Sequence, residues 1–170
     1  EERRQFLRFT RPFFDYQLVI ATRDDYPVVF GLDEFKDKTV AVVEGYASAE
    51  YIARAYPQLN IVPYPTVEAG LMAVSTGKAD AFVNEVFATV YQIRNKSIGN
   101  VKIAASLDSD LPGYAIAVRD DMPELVGILD KALTAISQEE RQNISEKWLS
   151  VKFEQGFDYS LFWKVLLGGA

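Results

Sequence analysis

Two charged side chains have the chemistry to bind a small polar ligand. Arg3 carries a guanidinium, whose planar fork of donors pairs with a carboxylate through two parallel hydrogen bonds. Glu85 follows the apolar run 81–83, so it lies at the carboxyl end of a strand, where open α/β sheets bind ligands. Each has a plainer interpretation: Arg3 as a surface residue, and Glu85 as an acidic group favoured at a helix N-terminus. The residue types alone leave both interpretations open.

The turn of Gly45, Tyr46, Ala47 and Ser48 is a third candidate. It joins an apolar run to a helical stretch, and such a turn can direct backbone N–H groups at an anion. Tyr46 would add a ring or a hydroxyl, whereas an ordinary turn with Ser48 as the helix N-cap explains the same residues. Phe13 is a candidate pocket wall, although aromatic residues more often belong to a core.

The composition excludes several classes of chemistry. The 170 residues include no Cys and no His, which removes disulfides, thiol catalysis, zinc–thiolate sites and the commonest general base. Any catalysis would use carboxylates, Lys, Tyr or Ser, and no cluster has metal-ligand spacing, so we predict no cofactor. The net charge of −6 disfavours nucleic acid as a partner.

Short apolar runs alternate with stretches of helical periodicity. The β-branched runs predict six strands, at residues 18–21, 39–43, 61–62, 81–83, 101–104 and 114–118. The periodic stretches predict five helices, at residues 48–55, 66–76, 86–94, 122–136 and 137–148. Thr66 is a plausible N-cap, and Ser137 with Glu140 resembles a capping box. This alternation predicts an α/β fold built from parallel units.

Two passages between these elements read as crossings between lobes. Residues 9–14 contain Pro12, which favours extended backbone before it, and residues 107–114 are rich in Asp and Ser and contain Pro112 and Gly113. A chain that leaves one lobe and returns to it needs two crossings of this kind, so the sequence predicts two lobes.

The order of several motifs resembles the family-3 periplasmic solute-binding proteins, which have a type 2 Venus-flytrap fold. Residues 2–13 are similar to the family's helix and hinge strand, E-R-x-x-x-[IVL]-x-F-[ST]-x-P-[YF]. The resemblance continues through residues 32–42, 44–48, 77–83 and 123–148, and it covers roughly residues 1–149. Phe35 stands where the family usually has Leu and Asp37 where it usually has Gly, both beside a turn.

The resemblance implies a role for each candidate. Arg3 falls where amino-acid-binding members grip the ligand's α-carboxylate, and Glu85 falls where an acidic residue meets its ammonium group. The family's first strand and helices would precede Glu1. We therefore predict that residues 15–108 form a complete lobe 2, and that residues 1–14 and 109–150 form the hinge and a partial lobe 1.

The last segment, residues 151–170, is predicted to be a juxtamembrane exit. Trp163 and Lys164 beside an apolar run resemble a membrane-interface anchor. The run is shorter than the roughly 20 apolar residues of a complete span. The alternative is an amphipathic helix that packs on its own domain.

Together these observations predict a periplasmic or extracytoplasmic sensor domain attached to the inner membrane. It would close around an amino acid or a similar small solute and signal to a membrane-attached effector. The alternatives are a free transport receptor, an enzyme that uses Glu85 as its acid or base, and a ligand-free lobe that mediates dimerisation. A second copy of the chain is a further candidate partner.

Overall fold

The computed structural model describes residues 2–149, with the side chains of residues 4–147. Its strands are β1 Leu7–Phe9, β2 Leu18–Arg23, β3 Thr39–Val43, β4 Asn60–Tyr64, β5 Ala81–Glu85, β6 Val101–Leu107 and β7 Ala117–Arg119. Its α-helices are α1 Ala47–Ala55, α2 Val67–Ser75, α3 Val86–Asn95, α4 Pro123–Ala135 and α5 Gln138–Leu149. Short 3-10 helices cover Glu2–Gln5 and Leu32–Phe35. The predicted α/β class is confirmed.

A five-stranded sheet in the order β4-β3-β5-β2-β6 forms the largest layer. Strand β3 pairs in parallel with both β4 and β5. Because β3 leads through α1 to β4 on one side, and β4 leads through α2 to β5 on the other, the order reverses between β3 and β5. Open α/β sheets bind ligands at such a switch point, outside the carboxyl ends of the strands.

The sheet is mixed: the predicted parallel units are present in β3, β4 and β5, and antiparallel pairing extends the sheet on one side. Strand β2 runs antiparallel to β5 and β6, with Leu18 opposite both Glu85 and Leu107. The chain enters the sheet at the amino end of β2 and leaves it at the carboxyl end of β6, and these two ends lie side by side. Strand β2 therefore runs in the direction opposite to β5 and β6.

Apolar side chains fill the space on both faces of this sheet. On one face Phe35 and Ile52 pack on the alternate residues Leu18, Val40 and Val83. On the other face Phe82 packs with a cluster that includes Leu71 of α2. Phe35 is fully buried and stacks on Tyr26, with 5.5 Å between ring centroids. Phe35 stands where the resembled family usually has Leu, and its larger side chain fits within this core.

The two crossing segments lie side by side and exchange hydrogen bonds. The Phe13 N–H donates to the Tyr114 carbonyl at 2.8 Å, and the Tyr114 N–H donates to the Phe14 carbonyl at 2.7 Å. The Ile116 N–H donates to the Thr10 hydroxyl at 2.9 Å instead of to a backbone carbonyl. This side-chain acceptor interrupts the regular ladder, which explains why the strand predicted at 114–118 begins at residue 117.

Beyond the crossings, β1 and β7 form a two-stranded antiparallel sheet against which α4 packs. The amphipathic pattern of α4 correctly predicts a helix, yet none of its residues is buried, and Ile128 is 62% exposed. Between residues 2 and 149 no helix is both long and apolar enough to cross a bilayer. The predicted exit segment, including Trp163 and Lys164, lies outside the described residues.

Two predicted helix caps are confirmed. The Thr66 hydroxyl accepts the Ala69 N–H at 3.1 Å at the start of α2. At the start of α5 the Ser137 hydroxyl accepts the Glu140 N–H at 3.2 Å, and the Glu140 carboxylate accepts the Ser137 N–H at 2.9 Å. The Ser137 hydroxyl also donates to the Glu140 carboxylate at 2.9 Å, and the two bonds that the carboxylate accepts hold the pKa of Glu140 below its usual value because they favour the charged form.

Candidate functional site

The candidate site lies at the carboxyl edge of the five-stranded sheet, around the switch point. The pairing of β3 with β5 stops at Ala41 and Phe82, before either strand ends. Beyond that point β3 leads into the 45–48 turn, and β5 ends at Glu85. The amino end of β2 and the two crossings meet the same edge. The topology therefore brings the 45–48 turn, Glu85 and the two crossings to the same end of the sheet.

Glu85 is the N-cap of α3 and is only 4% exposed. Its two carboxylate oxygens accept the N–H groups of Phe87 at 2.7 Å and Ala88 at 2.9 Å. Those donors are orphan groups of the first helical turn, where the helix dipole also favours a negative charge. The carboxylate is thus fixed in one orientation. A carboxylate has about four acceptor positions, so it can accept further donors.

Two tyrosines lie next to this carboxylate. The ring of Tyr114 is 5.2 Å from that of Tyr16 between centroids, and the Glu85 charge acts on both phenols. Burial raises the pKa of Tyr114, and the Glu85 charge raises it further. Burial also raises the pKa of Tyr16. Both phenols therefore stay neutral near pH 7 and can donate hydrogen bonds.

The 45–48 turn supplies a second set of candidate donors, at the start of α1. Gly45 has φ of +72°, a left-handed conformation that glycine adopts without steric cost. Helix α1 begins at Ala47, so the N–H groups of Ala47 and Ser48 belong to the first turn, which lacks partners within the helix. Tyr46 is 43% exposed beside them. An anion could accept these N–H groups, as the sequence predicts.

The prediction that Ser48 is an N-cap is wrong. Tyr46 is the cap residue, and Ser48 lies within α1 and is fully buried. The Ser48 hydroxyl donates to the Asn84 Oδ1 at 3.2 Å. The Nδ2 of Asn84 is buried and has no hydrogen-bond partner in the described part of the chain. The Ser48–Asn84 hydrogen bond joins α1 to β5. A buried donor without a partner is costly, so the Asn84 Nδ2 leaves the described part of this site with one unsatisfied polar group.

Phe13 lies on the hinge, where its N–H donates to the Tyr114 carbonyl. Its ring makes an edge contact with Phe14, at 5.6 Å between centroids, and Phe14 makes an edge contact with Phe87 at 6.1 Å. The Phe13 carbonyl accepts the Arg141 Nη1 at 2.9 Å. Arg3 has its backbone in the first 3-10 helix, and its side chain is outside the described residues.

Sequence reasoning missed three residues of this site: Tyr16, Asn84 and Tyr114. Signals for two of them are present, since Asn84 interrupts an apolar run and Tyr114 ends a predicted crossing. No signal in the sequence pairs Tyr114 with Tyr16, because that contact joins segments that are far apart in the chain. Among residues 2–149 no group of three acidic side chains is arranged to hold a metal ion.

Comparison with known proteins finds one family model over nearly the whole chain. Residues 1–151 match the model described as bacterial extracellular solute-binding proteins, family 3. The virulence sensor protein BvgS of Bordetella pertussis is 33% identical over 146 residues, which are 86% of this chain and 12% of that protein. The probable amino-acid-binding protein YxeM of Bacillus subtilis is 26% identical over 153 residues, which are 88% of this chain and 58% of that protein.

Solved structures give the same result for the fold. The periplasmic VFT2 domain of Bordetella pertussis BvgS matches with a TM-score of 0.73 and 34% identity, over 86% of this chain and 63% of that one. The chain therefore spans about an eighth of the curated BvgS sequence and less than two thirds of the solved domain.

Proposed function

The chain belongs to the bacterial extracellular solute-binding proteins of family 3, and from that membership we propose that it is the ligand-closing part of a sensor domain. It binds an amino acid or a similar small solute outside the cytoplasm and signals to a membrane-attached effector. The observation that carries the proposal is Glu85, a buried carboxylate fixed by two backbone N–H groups at the switch point of the sheet. Binding sites combine a largely apolar pocket with a few fixed polar groups of this kind.

In this proposal the site holds a zwitterion by its two ends. Glu85 accepts the ligand's ammonium group, and the first-turn N–H groups of Ala47 and Ser48 donate to its carboxylate together with Arg3. Tyr46 and Phe13 wall the pocket. Closure of the two lobes brings the groups together, and preference of the ligand for the closed state supplies the signal.

The lobe boundaries are part of the same proposal. Residues 15–108 are lobe 2, with a core on both faces of its sheet. Residues 1–14 and 109–150 are the hinge and a partial lobe 1, in which a two-stranded sheet supports a helix with no buried residue. Sheets of two strands have little stability of their own.

This assignment predicts an uneven pattern of amide hydrogen exchange. The amides of β2, β3 and β5 should exchange orders of magnitude more slowly than those of α4, because only the former lie in a packed core. Mass-spectrometric exchange on the intact chain measures both sets in one sample. Equal protection of α4 and the five-stranded sheet would contradict the incomplete state of lobe 1.

The output side of the proposed sensor is α5, the last helix among the described residues. The Arg141 guanidinium donates to the carbonyl groups of Phe13, Leu133 and Ile136, so it joins α5 to both the hinge and α4. Residues 151–170 would carry the movement to the membrane and attach the domain there. The relative BvgS, named a virulence sensor protein, supports this direction of signalling.

The roles of Arg3 and Glu85 are tested by thermal denaturation with a panel of amino acids. We expect one or more amino acids, at up to about 10 mM, to raise the melting temperature, because a ligand of the native state stabilises it. Arg3→Ala and Glu85→Gln should each abolish that rise. The stabilising ligand should also be recovered unchanged after incubation, as expected of a binder without turnover.

Two matched variants separate binding from general loss of charge. Arg4→Ala removes an exposed neighbouring guanidinium, and Glu124→Gln removes an exposed first-turn carboxylate from α4. Both should keep the full ligand-induced rise. A rise that survives Arg3→Ala and Glu85→Gln, or no rise with any amino acid, would contradict the proposed roles.

A soluble transport receptor is the second candidate function. It is favoured by the relative YxeM, a probable amino-acid-binding protein that this chain matches over 58% of its length. The two functions share the site and differ in the role of residues 151–170. Recovery of the native full-length protein in the membrane fraction supports the sensor, and recovery in the soluble periplasmic fraction supports the transport receptor.

A further inference from the structure

Arg141 lies where three elements meet. From the first turns of α5, its Nη1 donates to the Phe13 carbonyl of the first crossing at 2.9 Å. Its Nη2 donates to the Leu133 carbonyl in the last turn of α4, and its Nε donates to the Ile136 carbonyl at 3.3 Å, just past the end of that helix. One guanidinium therefore binds α5 to the hinge and to the end of α4.

The surroundings of Arg141 suit a permanent positive charge with several donors. The last carbonyl groups of α4 have no partners within the helix, and the helix dipole gives that end a partial negative charge. A guanidinium stays protonated and presents its donors as a planar fork. The bonds from its two Nη atoms are partly buried. Water is therefore a poor substitute for Arg141 at this junction.

A second set of bonds fixes the first crossing to α4. The Arg11 N–H donates to the Asp130 carboxylate at 2.8 Å, and the Arg11 Nη2 donates to the Thr134 hydroxyl at 3.4 Å. Asp130 and Thr134 both lie on α4, close to the carbonyl groups that Arg141 binds. The first crossing, the end of α4 and the start of α5 thus form one connected body.

Helix α5 also touches the lobe that contains the five-stranded sheet. It packs on α3, the helix whose N-cap is Glu85. Helix α5 is therefore bonded to the hinge and α4 while it lies against an element of lobe 2. As long as Arg141 keeps its bonds, a movement of the hinge relative to lobe 2 must displace α5 along α3.

We propose that Arg141 is the positioning residue that converts lobe closure into a displacement of α5 relative to α3. The inference rests on the proposed function, in which a zwitterion bound at Glu85 and the 45–48 turn closes the two lobes. Arg141 acts through the hinge and not on the ligand: its guanidinium makes α5 follow the first crossing. Without it, the packing on α3 keeps α5 with lobe 2, and closure no longer moves the helix.

This role separates the output of the sensor from ligand binding. The three bonds of Arg141 go to backbone carbonyl groups, and their loss should lower the stability of the ligand-free protein. A bound amino acid should still raise the melting temperature of an Arg141 variant, because Glu85 and the 45–48 turn are unchanged. An arginine with only a structural role would lower stability in the same way but leave the displacement of α5 intact.

The displacement is measured between two spin labels in the intact chain. The sequence contains no Cys, so Asn143→Cys on α5 and Lys78→Cys on lobe 2 supply its only thiols. Both positions are exposed. Double electron–electron resonance gives the separation alone and with saturating L-alanine, L-glutamate or L-lysine. We expect the amino acid that raises the melting temperature to shift the mean separation by roughly 2 Å or more, as in complexes that rearrange on binding.

Three variants and one control pair of labels define the role of the guanidinium. Arg141→Ala should abolish the shift and keep the ligand-induced rise in melting temperature. Arg141→Lys keeps the charge without the fork, so it should keep a reduced shift. Arg119→Ala removes an exposed guanidinium that binds Asp121, two residues along the chain, and should keep the full shift. Labels at Lys78→Cys and Asn95→Cys, both within lobe 2, should show no shift in any variant.

The outcomes distinguish this inference from the proposed function. A full shift in Arg141→Ala, or a rise in melting temperature without any shift in the native chain, would overturn the role of Arg141 and leave the function in place. If Arg141→Ala does not fold, Arg141→Lys decides: a reduced shift with an unchanged rise supports the role, and a full shift overturns it. If no amino acid raises the melting temperature of the native chain, the proposed function fails, and this inference fails with it.

Discussion

Replacement of Phe82 by alanine should lower the free energy of unfolding by about 3–5 kcal/mol, the range for large aromatic deletions in cores. Phe82 is 0% exposed on β5, in the middle of the five-stranded sheet. Its ring packs against α2, where Gly70 leaves the space that the ring fills. Urea denaturation followed by circular dichroism gives the loss directly, as a shift in midpoint at constant slope.

The converse variant, Gly70→Ala, tests the same contact from the other side. A glycine-to-alanine change inside a helix ordinarily stabilises by up to about 1 kcal/mol. Here an added Cβ would lie 2.6 Å from the Phe82 Cδ2, and closer still to the neighbouring ring atom. Because the buried ring has no room to move, we expect Gly70→Ala to destabilise by about 1–3 kcal/mol.

The combination of the two sites gives the sharpest outcome. Phe82→Leu removes the ring edge that meets position 70, so Gly70→Ala should cost less in the Phe82→Leu background than in the native chain. Equal costs in the two backgrounds would contradict the contact. A loss below about 1 kcal/mol for Phe82→Ala would contradict its place in the core.

Gly113→Ala is expected to weaken the hinge, with a loss of roughly 1–3 kcal/mol in the free energy of unfolding. An added Cβ would overlap the Phe14 carbonyl oxygen and lie 3.0 Å from the Pro12 Cβ. The obstacle is backbone rather than a flexible side chain, so the two crossings must separate to accept it. The Tyr114 N–H bond to that same carbonyl would be strained or lost.

The effect should appear in both stability and function. Urea denaturation measures the loss of stability, and the thermal shift with a stabilising amino acid should shrink because the hinge no longer positions the site. Gly127→Ala is the matched control: position 127 lies inside α4 with nothing within 4 Å, so alanine there should stabilise slightly. We therefore expect changes of opposite sign at the two glycines, with the larger change at Gly113. A neutral Gly113→Ala would contradict the close pairing of the crossings.

The elements of this protein were largely predictable from local pattern. The five helices and the six predicted strands all occur, with boundaries that shift by a few residues. Periodicity fixes them because each element buries one face or one stripe, and burial requires apolar residues at regular intervals. The Thr66 N-cap and the Ser137–Glu140 capping box were predictable for a similar reason, since the partner groups lie within one turn.

Two features of the structure could not be predicted from local pattern: the partner of Ser48 and the direction of β2. Ser48 looked like an N-cap because of its position before a periodic stretch, but its hydroxyl meets Asn84, 36 residues away. Strand β2 looked like part of a parallel unit, but its direction depends on where the chain enters the sheet. A window of ten residues contains no information on the distant partner of Ser48 or on the point at which the chain enters the sheet.

Local pattern and motif order are enough to predict the α/β class, the five helices, six of the seven strands between residues 2 and 149, and the acidic residue at the end of β5. The bonds that hold Glu85 at the start of α3 are also local, since their donors lie two and three residues further along the chain. Local pattern does not predict that Ser48 meets Asn84, that the buried Asn84 Nδ2 has no partner among the described residues, or that the hinge places Tyr114 against Tyr16. These contacts join segments far apart in the chain, and their geometry exists only once the sheet order and the pairing of the two crossings are fixed.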